Sequence, residues 1–305
     1  MNVDVYAPLL ASALLAGLGP ALSHRLSPKI AAWALLSGAV VSAVCWAGSL
    51  ALLASTGIGQ IRLVAAIGQW SRRALRAQAP VSPTVSWGCA LILATAVSML
   101  LVATCRRTAV LHATRRACRR LRGHRELAVL EDPQPVAYAL PGTPGRIVVS
   151  TGMLRLLDGG EQQALLAHER AHLRARHHLF LLTLHLAVAV NPLLRPLARE
   201  GAFVLERWAD EEAGRAVGDR SVVARAVARA ALAGGRTPAG ALAATEGPVP
   251  RRVRALFAPA PKAGLMPLAV GALLVAVSTG SLAAACHDTD RMFDKATRPA
   301  SAAHP

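Results

Sequence analysis

The sequence predicts a mainly α membrane protein, with about four transmembrane helices and an inserted α+β domain. Three observations predict it. Of 305 residues 53% are hydrophobic, and the mean hydropathy of +0.40 is high for a soluble chain. The apolar residues are gathered in blocks. Between the third and last blocks lies a mixed stretch of about 160 residues, enough for one compact domain.

The blocks come first. Those at about 5–22, 30–54, 85–104 and 264–286 are each near the length a spanning helix requires. Pro20 and Pro28 bracket the turn between the first two. The first block starts with Asp4 rather than a basic cluster, and a second follows at once, which favours a retained helix over a cleaved leader. Three units follow: 1–104 with three helices, 105–261 as the inserted domain, and 262–305 with the last helix and a short, polar, loose tail.

Charge sets the orientation. The net charge of +17 comes from 34 Lys and Arg against 17 Asp and Glu. His24, Arg25 and Lys29 lie in the first turn; Arg106, Arg107, Arg115, Arg116, Arg119, Arg120, Arg122 and Arg125 follow the third block; Arg251, Arg252, Arg254 and Lys262 precede the last. All three groups share one side if the chain starts outside and crosses three times. By the positive-inside rule that side is the cytoplasm, so a multi-pass cell-membrane protein with an outer N-terminus is expected, its domain at the cytoplasmic face. The loop 55–83 argues against this through Arg62, Arg72, Arg73 and Arg76, but Ile58, Ile61, Val64, Ile67 and Trp70 recur at helical spacing and suit an interfacial helix. Membrane retention and contact with anionic lipid account for the basic run, so no direct nucleic-acid partner is expected. The five cysteines form no CxxC pair and read as small buried hydrophobes.

Within the domain, Val136–Leu140 and Arg146–Ser150 read as strands around the turn 141–145. A helix follows, carrying His168-Glu169-Arg170-Ala171-His172. Residues four apart share a helix face, so His168 and His172 can offer imidazole nitrogens to one metal ion, with Glu169 beside them as a general base. A catalytic zinc takes three protein ligands, and Glu206 is the candidate third. Asp210, one turn on, can accept the free N–H of a ligating histidine and fix its tautomer. The competing reading makes Glu206 and Asp210 a solvated helix face with Arg207 and Glu211. The pattern points to one Zn2+ per chain and metal-assisted hydrolysis of a peptide bond, Glu169 taking a proton from water and passing it to the leaving amine. The strand Arg146, Ile147, Val148, Val149, Ser150 is a candidate edge for holding a substrate backbone, or an ordinary domain strand. His177, His178 and His185 remain open as oxyanion stabilisers or local polar contacts.

Several segments together resemble the BlaR/MecR-type integral membrane zinc peptidases, and more distantly the HtpX and CAAX-prenyl-protease metallopeptidases. They are Ile147–Leu154, Leu165–His172, Asn191-Pro192 and Glu206-Arg207-Trp208-Ala209-Asp210. The resemblance implies a gluzincin-type metallopeptidase domain, with His168, His172 and Glu206 as zinc ligands and Glu169 as general base. It also implies a protein substrate such as a cytosolic transcriptional repressor. A penicillin-binding sensor with an S-x-x-K nucleophile is not found after Cys286, so acylation by a beta-lactam is not expected. The alternatives are a membrane quality-control protease and a non-catalytic sensor or scaffold.

One constraint follows from the zinc site. The apolar block 179–194 cannot cross the membrane once, because His172 and Glu206 would then lie on opposite sides. It is expected to be re-entrant or buried in the domain.

Overall fold

The computed structural model describes residues 4–78, 81–120, 126–233, 249–259 and 264–297. Arg122, Arg125, Lys262 and the end of the tail lie outside the described residues. The first part of the chain holds α1 (Ala7–Ser23), α2 (Pro28–Ile58), α3 (Arg62–Gly68), α4 (Arg72–Gln78) and α5 (Pro83–Arg120). The domain holds β1 (Leu127–Leu130), β2 (Ala137–Leu140), β3 (Arg146–Ser150), α6 (Thr151–Leu156), α7 (Gly159–Arg174), α8 (His177–Val190), a 3-10 turn (Pro192–Leu194), α9 (Arg195–Val217), α10 (Arg220–Ala233) and α11 (Val249–Phe257). Helix α12 (Leu265–Thr297) closes the described chain.

Three of these helices are long and apolar enough to cross a membrane: α2, α5 and α12, with 31, 38 and 33 residues. At ~1.5 Å per residue each exceeds a ~30 Å hydrocarbon core. Helix α1 is apolar but has 17 residues, or roughly 26 Å, so the expected fourth crossing rests on a helix slightly shorter than that core. Helix α2 is the centre of the bundle, with 44% of its apolar window buried, and it packs on α1, α5, α8, α9 and α12. In α5 and α12 only 11% is buried, and Leu91, Met99, Leu101 and Leu273 face outward, as lipid-facing side chains do.

The bundle has two distinct ends. At one, Val5 meets Leu50, Leu53, Cys89 and Ala285. At the other, the α1–α2 turn meets the domain: Ser23 Oγ donates to Glu200 Oε1 at 3.2 Å, and Arg251 Nη2 lies 3.5 Å from Glu200 Oε2. The C-terminal part of α5 reaches the same end, where Cys118 packs on Leu140 and Val148. The first turn, the basic part of α5 and α11 therefore gather their cations at one end.

Two expectations change away from the domain. The loop 55–83 forms two short helices, broken where Gln69 takes a left-handed conformation (φ 56). The chain after Cys286 is helical up to Thr297 rather than loose. Its Met292 and Ala296 bury against Leu75, Phe293 stacks edge-on to Trp70 with centroids 5.0 Å apart, and the Ser71 amide donates to the Ala296 carbonyl. An apolar partner at the far end of the bundle orders what composition alone marks as a polar tail.

The strands pair in the order β1-β3-β2, with β1 parallel and β2 antiparallel to β3. The hairpin around 141–145 is as the sequence predicts; β1 is an addition. Its presence removes one candidate. β3, with Arg146, Ile147, Val148, Val149 and Ser150, is the central strand, and its backbone is engaged on both sides. It has no open edge for a substrate. The open edge facing away from β1 belongs to β2.

Candidate metal centre

Helix α7 starts at a capping box: the Asp158 carboxylate accepts from the Glu161 amide at 2.9 Å, and Glu161 Oε2 accepts from the Asp158 amide at 3.2 Å. Arg229 of α10 also reaches Glu161 Oε2, at 2.7 Å, which ties the start of α7 to the domain core. Two turns later come the histidines. Helix α9 packs along α7 and brings Glu206 and Asp210 to the same place.

The chain reaches α9 by way of α8, and these two helices form a hairpin turned at Asn191 and Pro192. The Asn191 side chain accepts from the Leu193 amide at 3.1 Å and starts the 3-10 turn. Phe180, Leu184 and Ala187 of α8 share one buried cluster with Ala31, Ala32 and Leu35 of α2 and with Leu194, Leu197 and Val204. Gly201 permits the close approach, since a Cβ there would lie 2.5 Å from Leu184 Cδ1. The apolar block thus turns back, and His172 Nε2 lies 3.5 Å from Glu206 Oε1. The condition that both stand on one side is met.

His168, His172 and Glu206 each offer one ligand atom, all within 4.8 Å of one another. His168 Nε2 is 3.1 Å from His172 Nε2 and 3.5 Å from Glu206 Oε2. His168 turns its other nitrogen, Nδ1, to Asp210 Oδ1 at 3.0 Å; the contact is short but bent, an ion pair rather than an aligned hydrogen bond. Glu169 is 2% exposed, and its Oε2 has no hydrogen-bond partner among the described residues. Two buried imidazoles, a carboxylate across from them and a free carboxylate oxygen beside them fit a zinc ion of the catalytic kind.

Arg252 of α11 completes the centre, although the sequence marks it only as one of the positive-inside charges. Its Nε and Nη2 hold Asp210 Oδ2 and Oδ1 at 2.8 and 2.6 Å, and its Nη1 lies 3.0 Å from Glu206 Oε2. The side chain is 1% exposed. The buried Asp210 and the half-buried Glu206 need a compensating cation, and that need is the signal that singles out a nearby arginine.

The electrostatics follow from burial and these contacts. Burial pushes Glu169 up to about 7, against the opposing pull of the His168 and Arg252 charges and the Ala139 amide. Burial also raises Glu206, but Arg252, His172 and His168 outweigh it and bring the group to about 2. Asp210 is held below the usual carboxylate range in the same way, chiefly by Arg252. For His168, burial lowers the value, yet contacts with Asp210 and Glu206 lift it to about 10. Burial takes His172 down to about 4. Asp210 and Glu206 therefore hold His168 toward its imidazolium form.

A cleft opens beside Glu169, lined by Val136, Ala137, Leu165, His168, Val227 and Arg252 among others. The N-terminal part of β2 forms one wall. His178 and His185 stand apart from this cluster of ligand atoms. His185 Nδ1 contacts the Leu181 carbonyl at 2.6 Å.

Residues 103–191 match Peptidase family M48. That segment contains His168, Glu169 and His172, and ends before Glu206 and Asp210. The chain is also 35% identical over 82 residues to a protein described as Protease HtpX homolog from Caldanaerobacter subterraneus subsp. tengcongensis. The aligned part is 26% of this chain, and the chain spans about a quarter (26%) of the length of that curated relative. No solved structure matches the chain. The two sequence matches, the apolar helices and the His-His-Glu cluster together support a membrane-associated metallopeptidase.

Proposed function

We propose that the protein is a membrane-embedded zinc-dependent endopeptidase that hydrolyses a protein substrate at the cytoplasmic face. The observation that supports it best is the convergence of His168, His172 and Glu206 beside a buried Glu169 whose Oε2 is unpartnered among the described residues. His168, His172 and Glu206 would hold one zinc ion per chain. The chemistry such an ion supplies when bound is a water made easier to deprotonate and a polarised scissile carbonyl.

The protein's own groups supply the rest. Glu169, with a pKa near 7, can accept a proton from the attacking water and deliver it to the leaving amine. Asp210 holds His168 in place, and Arg252 neutralises Asp210 and Glu206. The edge of β2 takes over the substrate role that the sequence suggests for 146–150, because Val136 and Ala137 border the cleft and the Ala139 amide bonds to Glu169. An extended peptide laid on that edge would pass the reacting groups.

In this reading α1 makes a fourth crossing beside α2, α5 and α12, and the N-terminus lies outside. Support comes from the clustering of cations at the domain end of the bundle. Regulatory cleavage of a cytosolic repressor, as in the BlaR/MecR-type peptidases, is the substrate reading the resemblance favours; a membrane quality-control protease is the second, supported by the similarity to the HtpX homolog.

The test is zinc content and peptide cleavage of detergent-purified wild type and Glu169→Gln. Removing the general base should lower turnover by roughly 10²–10⁴-fold, with one zinc retained in both. Equal cleavage by the two proteins rejects the mechanism, and a zinc-free wild type rejects the metal centre. Capture of a host protein by the Glu169→Gln variant separates a repressor from a membrane-protein client.

A further inference from the structure

Each ligating imidazole has a second nitrogen, and the partner of that nitrogen decides which tautomer is available to the metal. For His168 the partner is Asp210. For His172 it is a residue outside the ligand set. His172 turns Nε2 into the cluster, 3.1 Å from His168 Nε2 and 3.5 Å from Glu206 Oε1, and turns Nδ1 to His177 Nδ1 at 2.9 Å. A nitrogen that binds an ion carries no hydrogen, so the proton of neutral His172 sits on Nδ1 and must be donated. The acceptor in reach is His177 Nδ1.

We infer that His177 is a positioning residue for the metal centre: its Nδ1 accepts the Nδ1–H of His172 and fixes both the tautomer and the ring plane of that ligand. The inference rests on the zinc reading above.

Backbone geometry supports it. In an unbroken helix, residue 177 would sit about 140° around the axis from 172, facing elsewhere. Helix α7 instead stops at Arg174, and Arg176 adopts a left-handed conformation (φ 52) unusual for a side-chain-bearing residue. That turn returns His177 to the last turn of α7. There the ring is 0% exposed, with centroids 4.8 Å from both His172 and Trp208 and 6.2 Å from Phe180. Packing on three sides leaves the imidazole little freedom to rotate away. The second ligand is thereby anchored by α8, the apolar helix that packs into the membrane bundle.

Two variants separate positioning from packing. His177→Phe keeps a ring in the site without an acceptor. His177→Asn places an amide oxygen near the position of Nδ1 and restores the acceptor. The full chain, purified in detergent and stripped with a chelator, is titrated with Zn2+ against a competing indicator and with Co2+ by its visible absorption. Loss of such an outer partner typically weakens metal affinity 10–100-fold. That loss is expected for His177→Phe, with an altered Co2+ spectrum, and recovery of most of it for His177→Asn. Melting of the metal-free variants controls for folding, and if His177→Phe does not fold, His177→Asn against His177→Leu carries the comparison. Wild-type affinity and spectrum in His177→Phe, or an Asn variant as weak as Phe, overturns the inference. A wild type that binds neither ion overturns the zinc reading, and this inference with it.

Discussion

Arg252→Ala should be among the most damaging single substitutions in the domain. The wild-type guanidinium is 1% exposed and holds the buried Asp210 through two hydrogen bonds of 2.6 and 2.8 Å and the half-buried Glu206 at 3.0 Å. Deleting one partner of a buried ion pair strands the other charge and costs about 3–5 kcal/mol. Measured against a typical domain stability of ~5–15 kcal/mol, that is a large fraction. It corresponds to a fall in melting temperature of roughly 6–20 °C. The loss should depend on pH with a definite sign. Glu206 is depressed to about 2 in the folded protein, although burial by itself raises it, so its contribution is present above the unfolded value of ~4.3 and lost as pH falls toward 2. In Arg252→Ala the carboxylates lose their main counter-charge and can take up protons, so the gap from wild type should be widest near pH 7 and narrow toward pH 4. Thermal unfolding of metal-free protein in detergent, followed by tryptophan fluorescence at both pH values, measures this. Arg252→Lys, which keeps charge but not the two-pronged contact, should fall between. Melting of Arg252→Ala within a degree of wild type at pH 7 would refute the reasoning.

Two further outcomes follow from the same geometry. Since His168 is raised to about 10 without metal, Zn2+ must displace its proton; calorimetry in two buffers of different ionisation enthalpy should show about one proton released near pH 7, with affinity falling as pH drops, and heats independent of buffer would contradict it. Gly201→Val should push against Leu184 across the α8–α9 hairpin, costing about 1–3 kcal/mol and lowering zinc retention, with partial recovery on adding Leu184→Ala; wild-type melting and zinc content in the single variant would show that the close approach is unimportant.

The sequence is most legible where one short pattern implies one geometry. His168 and His172 are four apart on a helix, and their neighbourhood requires a third donor, which Glu206 provides in space. The hairpin of β2 and β3 is readable from its turn residues. Arg252 is less legible because its partners are some 40 residues away and its local composition resembles any basic membrane-proximal segment. The role of β3 depends on β1, a four-residue strand too short to announce itself by alternation. His177 is visible as a residue but not as a partner, since helical spacing places it off the ligand face until the chain breaks at Arg176.

The α8–α9 hairpin also has a consequence for the order of events in synthesis. His168 and His172 precede its turn at Asn191 and Pro192, and Glu206 follows that turn on α9. A nascent chain that has emerged only as far as α8 carries His168 and His172 but lacks Glu206, Asp210 and Arg252. The cluster of His168, His172 and Glu206 can close only after the hairpin has doubled back, seated on α2, and been met by α11. Completion of the cluster is thus tied to assembly of the helices around it, and a chain made only as far as α8 lacks its third member.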